Sequence, residues 1–117
     1  GIHLKLCHVV GGTFQMPHAE THTVILPHAT DYNRNAAPDA MSAVARALGT
    51  HTAGGGLFDF AAGIGAPTSL KELGFEEQNL DRAADIATES PYSNPQPVDR
   101  DTVRELLDNA FHGRRPV

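Results

Sequence analysis

The sequence predicts an all-α fold, a bundle of about six short helices. Apolar residues recur three and four positions apart in most segments, which is the period of an amphipathic helix. Glycine or proline separates these segments, and no segment alternates apolar and polar residues for long enough to predict a strand. With 117 residues, the chain is long enough for one compact domain that buries roughly two-thirds of its unfolded surface.

The first two helices are bounded by glycine and proline. The first ends at Gly11-Gly12, because glycine readily takes the left-handed conformation that closes a helix. A second helix begins after Pro17 and is broken or kinked at Pro27, since proline has no N–H to donate. The apolar positions of the first helix are Ile2, Leu6, Val9 and Val10.

The third and fourth helices carry apolar stripes. The third opens at Pro38, a favoured first-turn residue, and stops at Gly49. Its predicted buried stripe is Met41, Val44, Ala45 and Leu48. In the fourth helix the corresponding stripe is Leu57, Phe60, Ala61 and Ile64.

Two further helices follow a capping signal. The spacing of Ser69 and Glu72 matches a capping box for a brief helix that ends near Gly74. The next helix covers residues 80–87 and stops at Ser90-Pro91. The last runs from 99 to about 111, with Gly113 as its stop signal. Its inward positions are Val103, Leu106, Leu107, Ala110 and Phe111.

Composition narrows the class of protein. The net charge of −5 argues against nucleic-acid binding, which needs a clustered Lys/Arg face. The longest apolar run, residues 24–26, is too short to cross a bilayer, and the opening residues lack the pattern of a secretion signal. A lone cysteine, Cys7, excludes an internal disulfide and is typical of a reducing compartment. We therefore expect a cytoplasmic protein with a small-molecule ligand. Because a helical pattern begins at once, without an initiator Met or an N-cap, we also expect the chain to be part of a longer protein.

Four of the seven histidines, His8, His18, His22 and His28, occur within residues 8–28. Imidazole titrates near neutral pH and is the commonest metal ligand, so this density predicts a site. His18 and His22 face the same side of a helix and could share a metal or a carboxylate. Their intervening glutamate is one position too late for a zinc-protease helix. A zinc site completed by a distant third ligand and an ordinary hydrogen-bonded pair both stay open.

Other candidate motifs are less informative. No predicted strand delivers Gly54-Gly55-Gly56 to a helix, so a phosphate loop is not expected. Cys7 and His8 are adjacent and point about 100° apart on a helix, which argues against a nucleophile pair. His51 and His112 are expected at the surface.

Several segments together carry a family resemblance. The runs GIHLKLCHVVGGTF (residues 1–14) and MPHAETH (16–22) resemble the maleylacetate reductases, a branch of the iron-containing alcohol dehydrogenase superfamily. The resemblance continues through Leu26-Pro27-His28 and residues 63–70, 73–74 and 94–97, and it covers essentially the whole chain.

The resemblance implies an architecture and a reaction. Family members have an N-terminal α/β domain for the nicotinamide cofactor and a C-terminal all-α domain, with the active site between them. It implies that residues 1–117 are a single partial all-α domain, and that the nucleotide-binding domain lies outside this chain. The implied reaction is the NADH- or NADPH-dependent reduction of maleylacetate to 3-oxoadipate during the breakdown of aromatic compounds. Alone, the chain is expected to be inactive.

The resemblance also assigns residues. His8 and His18 match the two histidines that line the cleft, and both are expected to bind and act on the substrate. One donates a proton or stabilises charge while the other holds a carboxylate; His8 is assigned the first role, although the reverse fits equally well. His22 contributes to substrate binding by orienting His18, or it faces the core. In the wider superfamily His18 is a metal ligand and a second ligand histidine stands where this chain has Leu4. Leucine cannot ligate, and the reductase branch does not require metal, so no metal is expected.

Two other functions remain open at this point. The chain could be a free-standing helical module that binds a small carboxylate or oligomerises to cover its apolar surface. It could instead be a histidine-based hydrolase or isomerase, with or without zinc. In the leading interpretation the partners are a small dicarboxylate and either a missing N-terminal domain or further copies of the chain.

Overall fold

The computed structural model describes all 117 residues and contains six α-helices and no strand, which confirms the all-α prediction. A π-helical turn, Val9–Thr13, continues α1, and a 3-10 turn, Glu77–Asn79, leads into α5. None of the helices has the length and apolar character that a bilayer span requires. The helices are α1 Ile2–His8, α2 His18–Tyr32, α3 Pro38–Leu48, α4 Ala53–Gly63, α5 Leu80–Thr88 and α6 Arg100–His112.

The core lies where α1, α2, α5 and α6 meet. All five predicted inward residues of α6 are buried, from Val103 to Phe111. The helix begins and ends as its sequence predicts: the Asp99 side chain accepts from the Thr102 N–H at 3.0 Å, and Gly113 is left-handed with φ +68°. The backbone bond from the Leu70 N–H to the Ala110 oxygen, 2.9 Å, ties the turn before α5 to the end of α6.

The predicted end of the first helix at Gly11-Gly12 is wrong. The chain passes through both glycines in a π-helical turn and leaves the helical path at Phe14. Neither glycine has a positive φ, so neither acts as a left-handed cap. The wider turn contains Val9 and Val10, which are both buried in the core, and their burial explains why the helical path continues.

Of the break or kink predicted at Pro27, the break does not occur, because α2 runs uninterrupted from His18 to Tyr32. An internal proline removes one backbone hydrogen bond from a helix. Here Val24 and Ile25 precede the proline and Ala29 follows it, and all three are buried in the core. Packing on both sides of the proline holds the helix together.

The predicted stripes of α3 and α4 are only partly buried. In α3, Ala45 is buried but Val44 is 38% exposed. In α4, Ala61 is buried, whereas Phe60 and Ile64 are 59% and 67% exposed. Half-buried positions complete the two stripes: Met41, Leu48 and Leu57.

Glycines are buried in α4 in place of part of its predicted apolar stripe. Gly54, Gly55 and Gly56 form its first turn and are buried, behind the Thr52 side chain that caps the helix. A Cβ on Gly54 would stand 2.8 Å from the Pro27 carbonyl oxygen, so α4 can approach α2 this closely only because residue 54 has no side chain. Phe60 and Ile64 remain exposed.

The capping box forms without its predicted helix. The Ser69 hydroxyl accepts from the Glu72 N–H at 3.2 Å, and the Glu72 carboxylate accepts from the Ser69 N–H at 3.3 Å. The segment then turns at Gly74, whose φ of +95° only glycine adopts readily, and it ends before a helix can form.

Candidate functional site

Three imidazoles meet where α1 packs against the beginning of α2, and a fourth, His8, lies on the same part of α1. His3 and His8 lie on α1, and His18 and His22 lie on the first two turns of α2. The ring centroids of His18 and His22 are 4.2 Å apart, and those of His3 and His22 are 5.2 Å apart in an edge-to-face arrangement. His8 is close enough to act on the charge of His22. We call His3, His8, His18 and His22 the histidine cluster.

The start of α2 places His18 at the edge of this cluster. Pro17 is extended, with φ −60° and ψ 132°, and its carbonyl accepts the first helical hydrogen bond, from the Thr21 N–H. His18 is therefore the first helical residue, and its side chain is exposed. The free N–H groups and the dipole at a helix N-terminus favour negative charge. A carboxylate beside His18 would meet both that field and the imidazole.

His8 lines a shallow pocket of about 250 Å³ beside the cluster. The other lining residues include Leu4, Lys5 and Tyr92, and the Lys5 ammonium lies 5.8 Å from the centroid of the Tyr92 ring. Sequence reasoning missed Lys5 as a cation near His8. The only signal in the sequence was its position one helical turn after Gly1 and three residues before His8.

His22 differs from its neighbours in charge. Burial lowers its pKa below the usual 6.5, and the positive charge of His18, His3 and His8 lowers the pKa further. Its Nε2 is shielded from solvent and has no hydrogen-bond partner. His22 is therefore a neutral ring at neutral pH, suited to orienting His18 rather than to holding an anion by charge.

Cys7 contacts a histidine other than its sequence neighbour. Its Sγ lies 3.6 Å from His3 Nε2, one helical turn away, while His8 points to solvent. Cys7 is 3% exposed, and burial raises the pKa of the thiol to about 11. The thiol is protonated at neutral pH, so the structure agrees that Cys7 and His8 do not form a nucleophile pair.

His28 lies apart from the cluster. It is buried near the far end of α2, with its ring edge-to-face to Phe58 at 6.4 Å. Burial lowers its pKa to about 4. It borders a separate pocket of about 330 Å³ that Asp31 and Tyr32 also line. The dense run of histidines in the sequence thus divides between two places, while His51 and His112 lie at the surface as predicted.

The fold and this cluster define a class of protein. Residues 1–111 match the C-terminal part of the Fe-containing alcohol dehydrogenase family, and the chain belongs to that family.

Curated relatives of the chain include maleylacetate reductases. It is 53% identical over 116 residues to the maleylacetate reductase of Burkholderia cepacia and 49% identical over 115 residues to maleylacetate reductase 1 of Rhodococcus opacus. These alignments cover 99% and 98% of this chain, but 33% and 32% of the relatives. The chain thus spans about a third of the length of the curated relatives it matches.

Solved structures agree with this placement. Maleylacetate reductase from Agrobacterium tumefaciens superposes with a TM-score of 0.95 at 48% identity, covering 99% of this chain and 33% of that one. An iron-containing alcohol dehydrogenase from Corynebacterium glutamicum superposes with a TM-score of 0.87 at 41% identity, with the same coverage of 99% and 33%.

The family name implies iron, but the residues present do not fit an iron site at the position expected from the resemblance. Leu4 stands there, 56% exposed, and its hydrocarbon side chain has no lone pair to donate. Of the two ligand positions that the resemblance places in this chain, only His18 has a side chain that can donate to a metal. The one group of three ligating side chains that the structure brings together is His3, Cys7 and His22, which does not include His18.

Proposed function

We propose that this chain is the helical, substrate-facing part of an NADH- or NADPH-dependent maleylacetate reductase, which forms 3-oxoadipate in the cytoplasmic breakdown of aromatic compounds. The observation that carries the proposal is the placement of His8 and His18. Both are exposed, and they stand on two different helices that meet at the histidine cluster. Eight curated maleylacetate reductases that are 44–53% identical to the chain support this reaction.

The chemistry of the substrate explains why two such histidines are useful. Maleylacetate is a dianion whose carbon–carbon double bond is conjugated to carbonyl groups. A nicotinamide cofactor, bound by the nucleotide-binding part of the whole enzyme, supplies a hydride to one end of that bond. The double-bond electrons then move onto the conjugated carbonyl as an enolate, and a proton at the other carbon completes the reduction.

His8 is the proposed source of that proton or the group that stabilises the enolate. Its neighbour Lys5 adds a positive charge on the same side of α1. His18 is the proposed partner of a substrate carboxylate, since it stands at the positive end of the α2 dipole. His22 supports His18 from 4.2 Å away. The proposed reaction assigns the developing charge to His8 and the substrate carboxylate to His18, and it assigns no step to a metal.

Association with the rest of the enzyme accounts for the exposed apolar residues. Leu4, Phe60 and Ile64 are each more than half exposed, and Leu4 borders the pocket beside His8. Water contact with large apolar side chains is unfavourable, so such positions are typical of surfaces that pack against more protein. The proposed partners are the nucleotide-binding domain and a second copy of the enzyme.

A hybrid enzyme tests the proposal. Residues 1–117 replace the matching third of the Burkholderia cepacia relative, and NADH and NADPH oxidation are followed with and without maleylacetate. The expected result is maleylacetate-dependent oxidation that is retained after treatment with a chelator. A folded hybrid that binds cofactor but leaves maleylacetate unreduced would overturn the proposal.

A further inference from the structure

Three side chains of the cluster region converge on one point between α1 and α2. His3, Cys7 and His22 each bring one potential metal-ligating atom within 4.8 Å of the other two. His3 and Cys7 are four residues apart and so share one face of α1, while His22 reaches them from α2. Cys7 is buried, and the two imidazoles are half-buried. We call these three residues the Cys–His trio.

Protein hydrogen bonds satisfy the trio only in part. His3 Nε2 lies 3.6 Å from Cys7 Sγ and 3.3 Å from the His22 carbonyl oxygen. One ring nitrogen cannot accept from the thiol and donate to the carbonyl at the same time. His22 Nε2 is shielded from solvent and has no partner in either case. Buried polar atoms without partners are uncommon, and a bound ion is one of their explanations.

We propose that His3, Cys7 and His22 form a zinc site. Zinc binds Cys sulfur at about 2.3 Å and His nitrogen at about 2.0–2.1 Å, so a tetrahedral site separates sulfur and nitrogen by about 3.6 Å. The observed separation of Cys7 Sγ and His3 Nε2 is 3.6 Å. The His22 ring closes the remaining gap by rotating on its half-buried side chain, and a water takes the fourth position.

The donor set selects the metal. Zinc would bind Cys7 as a thiolate by releasing the thiol proton to solvent. A thiolate with two imidazoles is typical of zinc, whereas magnesium, calcium and manganese prefer oxygen ligands. The trio is also distinct from the position where the family resemblance expects a metal, since it uses neither Leu4 nor His18.

The site would connect α1 to α2 and fix the ring of His22, whose centroid is 4.2 Å from that of His18. Zinc here would position the substrate histidines and take no part in hydride transfer. The inference therefore stands or falls independently of the proposed reaction.

Cobalt is the probe, because it reports sulfur ligation by absorption. The purified 117-residue chain is titrated with Co²⁺ and then with Zn²⁺ under reducing conditions. The expected result is one equivalent of Co²⁺, with a thiolate-to-cobalt charge-transfer band and the visible bands of tetrahedral cobalt, all displaced by Zn²⁺. Cys7→Ser should abolish the charge-transfer band. His3→Gln should weaken Zn²⁺ binding by more than the roughly 10–100-fold that loss of an outer-shell partner costs.

Two variants control the experiment, and circular dichroism checks that every variant stays helical. His51→Gln changes an exposed histidine in the loop between α3 and α4 and should leave Zn²⁺ affinity unchanged. His18→Gln should also retain the charge-transfer band. A cobalt complex without that band, a band that survives Cys7→Ser, or binding lost in His18→Gln but kept in His3→Gln would each overturn the proposal. Because His3 is half-buried, His3→Gln still tests the site if Cys7→Ser unfolds.

Discussion

The ring of His18 lies one helical turn before that of His22, with centroids 4.2 Å apart and ring planes tilted by 51°. His18 is exposed, whereas His22 Nε2 is shielded and unpartnered. His18 can therefore contact a substrate, whereas His22 lies beneath His18 and stays neutral. Their proximity also couples their protonation, because a charge on one disfavours a charge on the other.

That coupling can be measured. Burial is the main reason why the pKa of His22 is low, and His18 is the first of the neighbouring charges that lower it further. His18→Gln removes that charge, so the pKa of His22 should rise towards its usual value without reaching it. A titration of the imidazole signals by NMR measures the change. His51→Gln should leave the pKa of His22 in place, and an unchanged value in His18→Gln would contradict the arrangement.

His28 should make the fold sensitive to acid. Its pKa is about 4 in the folded protein and 6.5 in the absence of burial, so the unfolded chain binds more protons between these values. The contribution of His28 to the free energy of unfolding is fully present above about pH 6.5 and is lost as the pH falls towards 4. The difference between the two pKa values corresponds to about 3 kcal/mol of unfolding free energy. Urea unfolding at pH 7 and pH 4.5 should show a smaller loss in His28→Gln, and an equal loss would contradict the assignment.

The close approach of α4 to α2 should depend on Gly54. An added Cβ would stand 2.8 Å from the Pro27 oxygen and 2.9 Å from the Asp31 Cβ, so Gly54→Ala should destabilise the protein by about 1–3 kcal/mol. Gly63, in the same helix, has nothing within 4 Å of its added Cβ. Gly63→Ala should instead leave stability unchanged or raise it by up to about 1 kcal/mol. Chemical denaturation measures the free energy of unfolding of both variants. Equal changes in the two variants would contradict the close approach of α4 to α2 at Gly54.

The comparison of α6 and α4 shows what a sequence can predict about this fold. In α6 the capping Asp99, the apolar stripe and Gly113 all indicate the same helix, and the structure has it. In α4 three of the buried residues are glycines, which a search for apolar residues cannot find, and Phe60, which the stripe predicts inside, is 59% exposed. Tertiary packing also overrode the local signal at Pro27.

The candidate site, like the fold, could be predicted only in part from the sequence. The spacing of His18 and His22 predicts that they face together, and their rings do. The sequence could not show that α1 lies against this part of α2, since that contact depends on the packing of the whole core. For this reason His3 and Cys7 were not recognised as neighbours of His22.

The central claim is that His8 and His18 act on the substrate. It is tested most directly by the kinetics of maleylacetate reduction in the hybrid enzyme that carries this chain, with His8→Gln, His18→Gln and the exposed control His51→Gln. Loss of a positioned acid or base typically lowers a rate by roughly 10²–10⁴-fold. We predict a fall of kcat/KM in this range for both variants, with unchanged cofactor binding and an unaffected control. Values for His8→Gln and His18→Gln equal to that of the parent hybrid would contradict the account.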